Sequence, residues 1–148
     1  MFLRLVTEND SDFILNLRLN KNLNQYLHKI DDDKNNQVEW IEEYKKREAS
    51  GLEYYFVILD KNLGDIGLVR IYDVDYYRRI FTWGSWVIKE NRPNYAAIES
   101  FLMSFDFAFA ELGMASAYFI VENGNMHTIN FYNRFGAKHV FTDDVMHY

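Results

Sequence analysis

Val121-Glu122-Asn123-Gly124-Asn125, followed by Thr128-Ile129-Asn130-Phe131-Tyr132-Asn133-Arg134-Phe135-Gly136-Ala137, is the stretch whose reading decides the fold. It begins where a strand ends. Ala115 to Val121 carries few polar residues, as a central strand does. Asn125 suits the N-cap of a short helix to Phe135, because its side-chain oxygen can accept from a first-turn N–H. Gly136 is the expected C′ residue that closes the helix. Ala137 to Phe141 then returns as a last strand, which makes a βαβ unit.

The pattern extends upstream. A long helix from about Asn94 to Leu112 precedes this unit, with Ile98, Phe101, Leu102, Phe105, Phe109 and Leu112 at helical spacing and Gly113 behind it. So broad an apolar face predicts heavy burial. Arg79 to Lys89 reads as a strand, Gly64 to Tyr72 as another and Tyr54 to Leu59 as a third, with turns at Lys61-Asn62 and Asp73 to Tyr76. Gly84 inside a strand points to a bulge or a close backbone approach, against the plainer reading of a packing glycine. Phe2 to Val6 is a first strand. Helices are expected from Asp10 or Ser11 to about Asn20 and from Asn36 to Ala49. Hairpins in the first half and βαβ in the second predict an α/β fold: a mixed, mostly antiparallel central sheet flanked by helices.

Composition bounds the function. The 148 residues suit a single domain over 1–148, 49% hydrophobic and 18% aromatic. A net charge of −6 without a basic cluster argues against a nucleic-acid partner. A local anion site remains allowed, because backbone N–H groups can hold phosphate. The absence of cysteine removes disulfides, Cys-ligated zinc and a thiol nucleophile. Met1 to Asp10 does not read as a signal peptide, and the apolar runs are short for a membrane span. A soluble, cytoplasmic protein is expected. His127, His139 and His147 lack ligand spacing, so no metal is assigned.

The order of elements, together with the Asn125 to Gly136 stretch, is similar to the GNAT N-acetyltransferase family over nearly the whole chain. In that family an Asn after a strand opens a helix that carries a Phe-Tyr pair and ends in Gly. Leu17-Arg18, Gln37 to Trp40 and Tyr54-Tyr55-Phe56 resemble the branch near ribosomal-protein and sugar-nucleotide N-acetyltransferases. The resemblance implies acetyl-CoA as cosubstrate. Trp86, Val87 and Ile88 match the bulged fourth strand, whose unpaired backbone groups would receive the pantetheine arm as an extra strand would be received. Arg92-Pro93-Asn94-Tyr95-Ala96-Ala97 matches the pyrophosphate loop. Tyr95 departs from the pattern, standing where a glycine belongs. Arg92 adds charge, and a helix N-terminus still aims N–H groups at the spot. The bland alternative is a Pro-Asn helix start.

Acetyl transfer needs a neutral amine, a polarised carbonyl and a proton for the departing thiolate. Tyr132 is the candidate acid, against core packing as its ordinary role. A phenol near pKa 10 and a thiol near 8.5 make full transfer uphill by about 2 kcal/mol, so the hydrogen bond must strengthen as charge develops. Asn125 is a helix cap first and a cofactor contact second. His28, in the loop where this branch binds its acceptor, is the candidate base. Asp73, Asp75, Glu90 and a water chain are the alternatives.

Arg18, Asn20, Asn22, Arg70, Tyr72 and Trp83 combine hydrogen bonding with flat apolar faces, which suits a nucleotide-linked amino sugar. A protein N-terminus or another small amine is the runner-up acceptor. A non-catalytic binding module is the reading from a different class. Tyr72, Tyr76, Tyr77 and Phe81 are expected as exposed aromatics, forming either a homodimer face or a substrate wall.

Overall fold

Alternation of side chains along four successive strands builds the centre of the molecule. The computed structural model describes residues 1–20, 34–122, 124–138 and 146–147. A five-stranded sheet runs in the order β1-β2-β3-β4-β5, from β1 (Phe2–Leu5), β2 (Tyr54–Asp60), β3 (Gly64–Asp75), β4 (Ile80–Ile88) and β5 (Ser116–Phe119). The first four strands pair antiparallel, and β5 joins β4 in parallel. Helix α1 (Ser11–Arg18) and helix α2 (Lys34–Ala49) link β1 to β2, and α3 (Ala96–Asp106) links β4 to β5. After β5 come β6 (Val121–Glu122), α4 (Met126–Arg134) and β7 (Met146–His147), with β6 and β7 pairing antiparallel. Most of the strand expected at Ala137 to Phe141 lies outside the described residues.

Each strand sends alternate side chains to opposite faces, so two cores form. One face of the sheet joins Phe56, Val69, Ile71, Phe81 and Trp83 to Phe101 of α3 and Tyr132 of α4. The other joins Val57, Leu68 and Val87 to Ile14 and Leu17 of α1 and Ile41 and Tyr44 of α2. Trp83 is fully buried on the first face and donates its indole N–H to Ser104 Oγ at 2.8 Å. That bond satisfies the indole, leaving its full apolar area to the core.

Several expectations change. Strand β3 runs on to Asp75, so the tight turn is Tyr76 to Arg79. The helix after β4 begins at Ala96, because Tyr95 occupies the N-cap. Beyond Asp106 it widens into a π-helical segment, Phe107–Glu111, with Leu112 N–H bonded to the Phe107 carbonyl at 3.2 Å. The apolar face of α3 and the π segment is only partly covered: Ile98, Leu102 and Phe109 are 50%, 52% and 43% exposed. Phe81, expected at the surface, is fully buried, whereas Tyr77 is 96% exposed.

Candidate active site

The site begins where β4 and β5 part. Their pairing covers Ile80 to Trp83 on β4 and ends at Trp83 opposite Phe119. From Gly84 to Ile88, among the described residues, β4 keeps its partner on the β3 side only. Register with β3 slips between Leu68, opposite Val87, and Arg70, opposite Gly84. One extra β4 residue is therefore accommodated, which is a bulge. The left-handed residue is Ser85, at φ +50°, and not Gly84. A non-glycine residue in that region is strained and marks a locally imposed geometry. The glycine that sequence reading missed is Gly67. A Cβ there would lie 2.6 Å from the Val87 carbonyl, whereas one on Gly84 would find ordinary contacts at 3.6 Å. Gly67 thus lets β4 approach β3 just past the bulge.

The pyrophosphate-loop residues follow directly. Arg92 folds back on the end of β4, its guanidinium donating to the Ile88 carbonyl at 3.2 Å. Asn94 is exposed, Ala96 buried and Ala97 half-buried. The Tyr95 hydroxyl donates to Asp60 Oδ1 at 2.7 Å. Asp60 Oδ2 accepts the N–H groups of Asn62 and Leu63 at 2.9 and 3.1 Å. Those bonds, Tyr95 first, hold the Asp60 carboxyl below its ordinary value. The side chain that departs from the family pattern is thus tied to the β2–β3 turn. Ala97 and Ile98 occupy the second and third positions of α3, where N–H groups have no intrahelical acceptor. The open edge of β4 and these N–H groups fit a pantetheine arm and its pyrophosphate.

Tyr132 comes from α4. Asn125 Oδ1 accepts Thr128 N–H at 3.3 Å, which is the expected cap. Gly136, at φ +86°, follows the helix as its C′ residue. The Tyr132 ring stacks on Phe119 at 4.0 Å and meets Trp83 edge-on at 5.8 Å. Burial raises its phenol well above the ordinary tyrosine value, and Tyr72 adds to the shift. Tyr132 is therefore protonated at neutral pH, as an acid must be. A cavity of about 790 Å³ lies beside it, lined by Phe105, Phe109, Tyr118 and Phe135 among others. No residue from Gly84 to Ala97 lines that cavity, so it is separate from the β4 edge.

The acceptor candidates divide by strand register. Arg70 stacks over Tyr72, its guanidinium 4.0 Å from the ring centre. Tyr55 pairs with Arg70, and Arg70 with Gly84, so the three form a row across one face. Trp83 pairs with Ile71 and belongs to the opposite face. Its expected place in the acceptor wall is thereby corrected: it is core. Arg18 closes α1 half-buried, and Asn20 is exposed beyond it. Asn22 and His28 lie outside the described residues. Among the other candidate bases, Asp75 accepts Arg78 N–H at 2.9 Å within the turn, and Asp73 and Glu90 are exposed.

Sequence reading did not single out Glu53, Trp40 and Tyr55, which lie beside Arg70 on this face. Tyr55 stands in a wholly apolar run, and only its pairing with Arg70 brings it to this face. Glu53 is 7% exposed and holds Arg47 by two bonds, 3.1 and 3.4 Å.

Comparison with known proteins agrees with this geometry. The model of the acetyltransferase (GNAT) domain matches residues 1–138. The chain belongs to the GNAT acetyltransferase family and is an acetyl-CoA-dependent N-acetyltransferase. Among solved structures it is similar to apo FdhC, a nucleotide-linked sugar GNAT, at 41% identity and TM-score 0.88, covering 99% of this chain and 83% of that one. It shares its fold with Vibrio cholerae spermidine N-acetyltransferase in complex with CoA and spermine, at 22% identity and TM-score 0.77, covering 99% and 91%. A dodecameric structure of the Vibrio cholerae enzyme in an intermediate state gives 21% identity and TM-score 0.74, covering 99% and 90%. No curated protein matches the chain significantly. No helix among the described residues is long and apolar enough to cross a membrane.

Proposed function

We propose that this chain acetylates the amine of an amino sugar, most simply one linked to a nucleotide. The supporting observation is the 41% identity to a nucleotide-linked sugar GNAT over 99% of the chain. Arg70 stacked on Tyr72 gives the flat, hydrogen-bonding wall that such an acceptor requires.

Acetyl-CoA supplies an acyl carbon already activated as a thioester. In this reading the outer edge of β4, from Trp86 to Ile88, aligns the pantetheine arm by backbone hydrogen bonds. The N–H groups of Ala97 and Ile98, with Arg92 swung off the Ile88 carbonyl, hold the pyrophosphate. Asn94, Tyr95 and Ala96 shape that loop, and Asn125 fixes the start of α4. The acceptor nitrogen forms its bond to the acyl carbon as the carbon–sulfur bond breaks. Tyr132 gives its proton to the departing sulfur, and the proton lost from nitrogen passes to a base or water and restores Tyr132. Direct attack by the amine fits a chain without cysteine.

The test is turnover with acetyl-CoA against a nucleotide-linked amino sugar, spermidine and a peptide amine. The sugar should give the highest kcat/KM. A higher value for spermidine or the peptide would overturn the acceptor assignment. Calorimetry that finds no acetyl-CoA binding at millimolar concentration would overturn the whole reading.

A further inference from the structure

On the face that carries the acceptor wall, one guanidinium is only partly satisfied by the fold. The Arg70 side chain is only 21% exposed, and its nearest carboxylate oxygen, on Glu53, is 3.6 Å from Nη1. Glu53 is held more closely by Arg47. The Arg70 Nε is buried without a hydrogen-bond partner among the described residues. Its flat sides face aromatic rings, Tyr72 at 4.0 Å and Trp40 at 5.9 Å, and the only oxygen these rings carry near it is the Tyr72 hydroxyl. Tyr55, its register partner, is 1% exposed, and its hydroxyl is also buried without a partner among the described residues.

Buried polar groups are nearly always bonded, because leaving one bare costs its full desolvation. Here two neighbours on one face are bare. Charge counts in the same direction. One carboxylate, Glu53, stands between two guanidinium groups, so the group carries a net positive charge. The place matters as well. Arg70 lies opposite Gly84, the first β4 residue past the end of the β4–β5 pairing at Trp83.

We propose that Arg70 is an anion receptor in the acceptor site. It binds a phosphate or carboxylate oxygen carried by the amine substrate, and the Tyr55 hydroxyl supports it. This rests on the amino-sugar reading above and narrows it: the acceptor is anionic close to its amine, and polycations are repelled. A guanidinium fork between aromatic planes suits such an oxygen, because it offers parallel donors while its faces stay covered.

The test uses full-length protein saturated with CoA, so that phosphate-bearing probes cannot occupy the cofactor groove. Calorimetry is run with UDP, with glucuronate and with spermidine. At least one anion should bind, and spermidine should not. Binding by UDP alone assigns the phosphate, and binding by glucuronate alone assigns the carboxylate. Arg70→Met should weaken that binding about tenfold or more and leave CoA affinity unchanged. Arg70→Lys should fall between, since it keeps charge and loses the fork. Tyr55→Phe should weaken it about threefold.

Equal anion affinity in wild type and Arg70→Met overturns the proposal. So does spermidine binding where neither anion binds. If both Arg70 variants fail to fold, Tyr55→Phe decides, since it deletes only an unpartnered hydroxyl: unchanged affinity there overturns the proposal. A protein that binds the anions through Arg70 yet acetylates no amino sugar refutes the acceptor assignment and leaves this inference standing.

Discussion

The two faces of the sheet solve burial in opposite ways. Toward α3 and α4 the contacts are aromatic: Trp83 touches Trp86, Phe101, Phe105, Phe119 and Tyr132 at centroid distances of 5.0 to 5.8 Å. Toward α1 and α2 the wall holds charge: Arg70 and Arg47 about Glu53, and Tyr44 bonded to Glu48. An apolar face tolerates little loss of volume and asks for no partner. A charged face is less efficient as a core and is suited to recognition. The first face therefore carries the stability, and the second is where we propose the acceptor is recognised.

That contrast is broken most directly at Trp83. Trp83→Ala should cost about 3–5 kcal/mol, read by chemical denaturation, because it empties the centre of the aromatic face. A loss below about 1 kcal/mol would show that the aromatic face is not the scaffold.

The next effect sits between β3 and β4. Gly67→Ala forces a methyl to within 2.6 Å of a backbone carbonyl, so β4 must move. About 1–3 kcal/mol of stability should be lost, together with affinity for acetyl-CoA. Gly84→Ala, with its nearest contacts at 3.6 Å, should change stability by less than about 0.5 kcal/mol. If the two variants behave alike, the strand contact is not what shapes the cofactor edge.

Tyr132 separates packing from chemistry on the same face. Tyr132→Phe should keep the fold and lower kcat by about 10- to 100-fold. Its raised pKa carries a sign: the proton is held through neutral pH, so ionisation of Tyr132 cannot cause a fall in rate below about pH 10. Full turnover in the variant would leave Tyr132 as core alone.

The smallest effect belongs to the charged side. Arg4 holds Asp10 through two bonds, 2.7 and 2.9 Å. Burial opposes ionisation of Asp10, but these bonds and the Thr7 N–H prevail and lower its pKa. The stabilisation is present above the unfolded carboxyl value near 3.9 and is lost as pH falls through the lower, folded value. Asp10→Asn should cost about 1 kcal/mol at pH 7, discounted because Arg4 is 37% exposed. The difference from wild type should vanish below about pH 3 in acid titrations.

Most of the fold was legible because local signals agreed with one another. Asn125 and Gly136 mark α4 chemically, and the compact β-branched and aromatic run Tyr54 to Leu59 marks β2. The site was less legible, because it depends on register. Trp83 and Tyr72 look equivalent as strand aromatics, yet pairing with Ile71 and Thr82 sends them to opposite faces. Gly84 drew attention as the glycine within a strand, while the left-handed residue is Ser85 and the close approach belongs to Gly67. Tyr95 reads as an obstacle in sequence. Its bond to Asp60, 35 positions earlier, is invisible there.

The π segment after α3 has a consequence for comparing chains. It makes one turn with more residues than an α-helix uses, so everything beyond it is out of phase with what precedes it. That offset lets Phe107 reach Tyr54 and Phe56 while Phe105 and Phe109 both reach Phe81. In an alignment it should surface as a single-residue gap between Phe105 and Gly113. Homologues on the shorter side of that gap would have to choose which strand their aromatic side chains serve.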